Sequence, residues 1–167
     1  MGKAKLIRHR VIRAKFWLFE NQWWIAAVLL AAIAVILLLF SIPLAKSIPV
    51  LGVMMSAVYF FQKQKLEELK LFREIFRECN ARYEDLRPFL AKLDSRADGA
   101  LSSEERYQIV KYLNLCGEEY LYFRRGFIDP AVWEAWSAAM KSYLENPLIA
   151  AVWDQEKGVG SYYDMPI

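Results

Sequence analysis

Few side chains in this sequence are of types and spacings that could do chemistry. Glu118 and Glu119 are adjacent carboxylates in a segment rich in aromatics. On a helix, neighbouring residues point about 100° apart, so these two cannot flank one scissile bond as acid and nucleophile. The stretch Asp94 to Glu105 (DSRADGALSSEE) fits the spacing of an EF-hand loop at five points: Asp94, Asp98, Gly99, Leu101 and Glu105. Its third position is Arg96, a cation where Ca²⁺ needs an oxygen. The same residues have a plainer use: Gly99 permits a turn, and Ser102 followed by Glu105 is a capping box. We expect a helix start there and no metal. Cys79 and Cys116 lie far apart, each without a nearby Cys or His, which suits neither zinc nor a disulfide framework. They read as small, half-buried helix residues. His9, the sole histidine, sits among arginines with no carboxylate close by and is a poor general base. With no glycine-rich phosphate loop and no nucleophile–base–acid set, we expect no enzyme activity and no cofactor.

The elements that must carry these residues divide the chain by composition. Residues 1–61 hold seven Lys/Arg and one acid, Glu20, for a net +6, while residues 62–167 hold 15 bases and 18 acids, for −3. The overall +3 therefore belongs to the first third. Residues 62–167 carry no basic stripe, so no direct nucleic-acid contact is expected from them. Within the basic third, Trp23 to Phe40 is an uncharged apolar run, and a second follows from Leu44 or Ile48 to Phe61. A bilayer's hydrocarbon core, ~30 Å thick, takes roughly 20 apolar residues to cross as a helix. The two runs therefore read as a transmembrane hairpin (23–42 and 44–61), turned by Ser41, Pro43, Ser47 and Pro49. Trp23, Trp24 and Tyr59 are its interfacial anchors, and Lys46 snorkels to the far headgroups.

Six bases precede the first run, and Lys63, Lys65, Lys70 and Arg73 follow the second, whereas the turn has only Lys46. The positive-inside rule then puts both termini in the cytoplasm. A cleaved signal peptide is the rival reading, but the apolar run is too long and starts too late, and Pro43-Leu44-Ala45 is a poor cleavage site. Residues 1–22 read as a basic amphipathic helix on the inner leaflet, with Ile7, Val11, Ile12, Phe16 and Phe19 as its apolar face. Between these anchors the spans hold no ionisable side chain, which argues against a pump or ion-selective pore. Gly52 with Ser56, and Ala27 with Ala31 and Ala34, are small-residue faces suited to close helix packing or to a homo-oligomer.

Residues 62–167 read as a helical domain of three to four helices, and the whole chain as all-α. The first soluble helix continues the second span and carries Leu66, Leu69, Phe72, Phe76 and Tyr83 at three- and four-residue steps. Pro88 is expected to end or kink it. A second helix runs from about Ser103 to Arg125, with Gly126 at its C′ position. A third runs from Ala131 to Leu144 behind the cap Asp129-Pro130, and Pro147 opens a short fourth. The many Tyr and Trp residues read first as an aromatic core, and second as an interface.

One resemblance adds to this. Asn80-Ala81-Arg82-Tyr83, then Tyr112 to Tyr122 (YLNLCGEEYLY), Gly126 to Asp129 and Val132 to Trp136 form a pattern over roughly residues 75–165. It resembles a family of small bacterial proteins with N-terminal spans and a helical domain, including effectors encoded beside retron reverse transcriptases. The resemblance implies an inner-membrane antiphage effector, held inactive by a reverse transcriptase with its DNA–RNA product and disrupting the bilayer when released. The alternative is a non-toxic scaffold that recruits a cytoplasmic partner. On either reading the first residues to suspect at the partner interface are Asn80, Arg82, Asn114, Glu118, Glu119, Trp133 and Trp136.

Overall fold

Apolar side chains recurring every three or four residues commit the chain to helices, and the computed structural model is all-helical. It describes residues 2–40, 43–96, 98–160 and 162–167, with the side chains of 10–37, 39–40, 43, 48–96, 98–158, 160 and 162–167. Among the described residues six α-helices appear in order: α1 (Gly2–Glu20), α2 (Gln22–Leu39), α3 (Leu44–Asp94), α4 (Ser103–Arg124), α5 (Pro130–Leu144) and α6 (Pro147–Glu156). A 3₁₀ turn, Lys157–Val159, follows, and no strand occurs among the described residues. Of the expected turn after α2, Ser41 and Ile42 lie outside the described residues, as does the side chain of Lys46. The chain divides into two compact units, Met1–Lys70 and Leu71–Ile167.

In the first unit, α1 and α2 meet at Asn21, where the axis of Arg10–Glu20 turns by 69° into that of Gln22–Leu37. Asn21 donates both its backbone N–H (3.0 Å) and its side-chain Nδ2 (2.9 Å) to the Trp17 carbonyl. Such local side-chain bonding competes with the regular ladder and favours a break. The same unit brings the end of α1 against α3. Lys65 Nζ donates to the Phe19 carbonyl at 2.7 Å, and Lys15 pairs with Glu68 at 2.5 Å. Phe19 lies in the last turn of α1, whose carbonyls have no partner within the helix, so a lysine there satisfies an orphan acceptor and complements the dipole.

In the second unit Pro88, expected to end or kink the helix, does not end it. α3 passes through it and ends only at Asp94. Proline removes the N–H that would meet the Glu84 carbonyl, but Glu84 and Pro88 are both on the exposed side, where water can replace that donor. Helix termini elsewhere follow local chemistry. Ser102 and Glu105 make a complete capping box at the start of α4. Gly126, at φ 76°, closes α4 with Gly126 N–H on Phe123 O (2.9 Å) and Phe127 N–H on Tyr122 O (3.1 Å), the two bonds of a Schellman motif. Asp129 and Asn146 cap α5 and α6, each with proline next in line. Asn146 is buried and also donates through Nδ2 to the Leu93 and Arg96 carbonyls (3.0 and 2.9 Å), tying the end of α3 to the start of α6.

The core gathers Cys79, Leu86, Leu90 and Leu93 of α3, Ile109, Leu113, Cys116 and Phe123 of α4, Trp133 and Met140 of α5, and Ile149, Val152 and Trp153 of α6. Tyr162 and Met165, beyond the last helix, fold back onto it. Tyr162 lies edge-on to Trp153, with ring centroids 5.1 Å apart. A Cβ added at Gly117 would come within 3.1 Å of the Tyr162 ring, so this glycine is a close-approach residue.

Candidate functional site

The suspected partner residues do not form one surface. Arg82 of α3 and Glu118 of α4 do meet, as a forked pair with Nη1 2.5 Å from Oε2 and Nη2 3.1 Å from Oε1. Both side chains are partly exposed, at 32% and 41%, so the pair is a surface feature of modest energetic weight. Hydrogen bonding to Glu118 raises the Arg82 pKa further. Asn114 lies exposed on α4, and Asn80 is half-buried on α3.

Glu119 is different. It is 7% exposed, and burial pushes its carboxyl up to about 8, against a smaller pull from the Arg82 charge. The rotation between adjacent helix positions has put one glutamate at the surface with a cation and sent the next inside. Its surroundings are thiols and a phenol. Cys79 and Cys116 are each 1% exposed, not half-buried as the sequence suggested. Burial, with the Glu119 charge next, pushes the Cys79 thiol up to about 12 and raises Cys116 well above its usual value. Tyr112 is likewise raised, chiefly by burial. Groups held in their protonated forms are poor nucleophiles. What the arrangement supplies is a neutral, buried acid at the α3–α4 contact.

The two tryptophans belong to packing. Trp133 is buried, stacked on Phe123 at 5.1 Å and tilted against Tyr120 at 5.2 Å. Trp136 is half-buried and stacks on Phe76 of α3 at 5.6 Å. Glu119 and Trp133 thus present no surface, leaving Asn80, Arg82, Asn114, Glu118 and part of Trp136 as the candidates a partner could touch. The hydroxyls of Tyr83 and Tyr143, 3.0 Å apart, add a polar contact between α3 and α5. Sequence reading missed it, because residues 60 apart carry no local signal of meeting. In the Asp94–Glu105 loop, Glu105 is occupied by Arg96 (2.9 Å) and the Ser102 N–H (2.8 Å). These bonds, the backbone one first, hold its carboxyl below the ordinary range. Among the described residues no group of three or more His, Cys, Asp or Glu side chains could hold a metal ion.

In the first unit the suspected anchors and small residues are outward-facing. Trp23, Trp24 and Tyr59 are 64%, 76% and 68% exposed, and Ala27, Ala31, Gly52 and Ser56 are exposed as well. Ser56 turns its hydroxyl back to the Gly52 carbonyl at 2.9 Å, so it offers no free donor to a neighbour. Among the described residues no single helix is long and apolar enough to cross a membrane. The bent pair Arg10–Glu20 with Gln22–Leu37 meets the length and hydropathy of a span only when its two helices are counted together.

Compared with known proteins, the chain matches no family model, no curated protein and no solved structure.

Proposed function

We propose that this protein is a bacterial inner-membrane effector: a hairpin of α2 and the first part of α3 lies in the bilayer, and the helical domain docks a cytoplasmic regulator. One observation carries the membrane reading. The chain leaves its base at Phe19 and returns to it at Lys65, where the two are hydrogen-bonded. The excursion between them exposes Val28, Leu29, Leu30, Val35, Ile36, Leu39, Ile48, Val53 and Met55. Apolar surface on this scale calls for an apolar solvent or a partner. At 1.5 Å per residue, the 18-residue α2 rises about 27 Å, close to the ~30 Å of a hydrocarbon core. The basic residues on both sides of this base support a cytoplasmic position for both termini.

The effector half rests on the resemblance to proteins encoded beside retron reverse transcriptases. The regulator is then a reverse transcriptase with its DNA–RNA product. The partly exposed Arg82–Glu118 pair is the first place to look for its contact, and release lets hairpins assemble and breach the bilayer. Expression without the regulator should collapse membrane potential and admit an impermeant dye, and co-expression should restore both. Normal potential and growth without the regulator would sink the toxic reading. They would favour the alternative, an inner-membrane scaffold that recruits a partner. That reading draws on the well-packed second unit, and the full chain in nanodiscs should then capture its partner with no toxicity.

A further inference from the structure

α1 carries two apolar faces, and they have opposite fates. Ile12, Phe16 and Phe19, spaced four and three, form one. Ile12 is 6% exposed and the two phenylalanines are half-buried. Lys15 rises from the same side with its ammonium 5.7 and 5.6 Å from the rings of Phe16 and Phe19, and its charge is met by Glu68 of α3. Val11, Ala14 and Leu18, spaced three and four, form the other, with Trp17 beside them. Here Val11, Trp17 and Leu18 are 62%, 58% and 50% exposed, and Ala14 is exposed too. Arg10 lies one and two turns before Ala14 and Trp17 on this outward side, and Arg13 one turn before Trp17, both exposed. The single apolar face read from the sequence, with Val11, Ile12, Phe16 and Phe19 together, is thus split by the fold.

We propose that the outward face of α1, formed by Val11, Ala14, Trp17 and Leu18 with Arg10 and Arg13, is seated in the headgroup layer of an anionic bilayer. The clasp of Lys15, Phe19, Lys65 and Glu68 holds the inward face on the protein. This rests on the reading of the hairpin as membrane-spanning. With α2 along the membrane normal, the 69° turn at Asn21 lays α1 within about 20° of the membrane plane, the attitude of an interfacial amphipathic helix. The face has the composition such a seat requires: aliphatic side chains, an indole that prefers the boundary, and guanidiniums that pair with lipid phosphate. A second copy of the chain fits the face less well, because pairing it with itself sets Arg10 and Arg13 against their own copies.

Site-directed spin labelling of the full chain in vesicles of phosphatidylcholine, with or without phosphatidylglycerol, tests this. Labels are placed singly through Leu18→Cys, Phe16→Cys and Val53→Cys, the native thiols being buried. Accessibility to oxygen, which enters lipid, is compared with accessibility to a water-soluble nickel chelate. The Val53→Cys label should be lipid-exposed in both vesicles. The Leu18→Cys label should show a several-fold rise in its oxygen-to-nickel ratio when the anionic lipid is present, lost with Arg10→Gln and Arg13→Gln. The Phe16→Cys label should stay shielded from both reagents. A water-exposed label at Leu18→Cys, or one equally immersed in neutral lipid, overturns the proposal while a lipid-exposed Val53→Cys keeps the hairpin. Spin–spin broadening between Leu18→Cys labels would assign the face to a second copy and overturns it too. A water-exposed Val53→Cys removes the hairpin reading and this one with it.

Discussion

Glu119 is the residue whose chemistry departs furthest from its composition. Its carboxyl titrates near 8 in the folded chain and near 4.5 when solvated. Between those values the folded chain holds a proton that the unfolded chain has lost. Stability from this group is therefore full below pH 4.5 and falls as pH climbs toward 8, by on the order of a few kcal/mol in total. Glu119→Gln, a neutral isostere, should flatten that slope and leave the variant more stable than the parent at pH 8. Denaturant unfolding of the full chain in micelles at pH 5 and pH 8 reads both. A parent with no fall between the two pH values would refute the account. Trp133→Ala, which empties the stack on Phe123 and Tyr120, should cost about 3–5 kcal/mol in the same measurement. A loss under about 1 kcal/mol would mean that this ring is not core. The sequence read its tryptophans first as core, as Trp133 is, but the burial of Glu119 was not legible in it. The pair Glu118-Glu119 showed only that the two carboxylates diverge, since a helix fixes the angle between neighbours but not which one faces inward.

The elements, by contrast, were largely legible, because their boundaries are set by local chemistry. Ser102 and Glu105, Asp129 with Pro130, and Gly126 fix three helix termini within a few residues of themselves. Ser102→Ala removes the side-chain acceptor for the Glu105 N–H and should cost about 1 kcal/mol. Faster amide exchange confined to the first turn of α4 is the expected signature, and unchanged exchange there would show the box to be idle. Pro88 is the counter-example. Its local rule predicts a break, yet Leu86, Leu90 and Leu93 are buried on either side of it. Holding those three leucines in one helical register is worth more than the hydrogen bond lost on the exposed side. At α1 the spacing revealed amphipathicity but not its polarity, because two apolar faces about 130° apart on a 3.6-residue helix cannot be ranked without the neighbour that covers one of them.

For the whole molecule the decisive expectation concerns the bilayer. If the excursion from Asn21 to Lys65 is membrane-embedded, the chain should stay with membranes through an alkaline carbonate wash. Replacing Leu30 and Val53 by arginine should release it, since a charge at mid-bilayer costs about 2.5–3.5 kcal/mol on insertion scales. Release of the parent chain by the wash would contradict the hairpin. What the sequence by itself determined is the helical class, the helix boundaries with caps, the charge asymmetry and the two apolar runs, all properties of residues within a turn or two of each other. Only the tertiary structure decided which glutamate is buried and that Trp133 is core while Arg82 meets Glu118. It alone turned Ile12, Phe16 and Phe19 inward, and it alone closed the base of the excursion through Lys65 and Phe19, 46 residues apart. The physical reason is common to all five. Local sequence sets the period and the ends of a helix, but the side that is buried depends on what another helix, distant in the chain, removes from water.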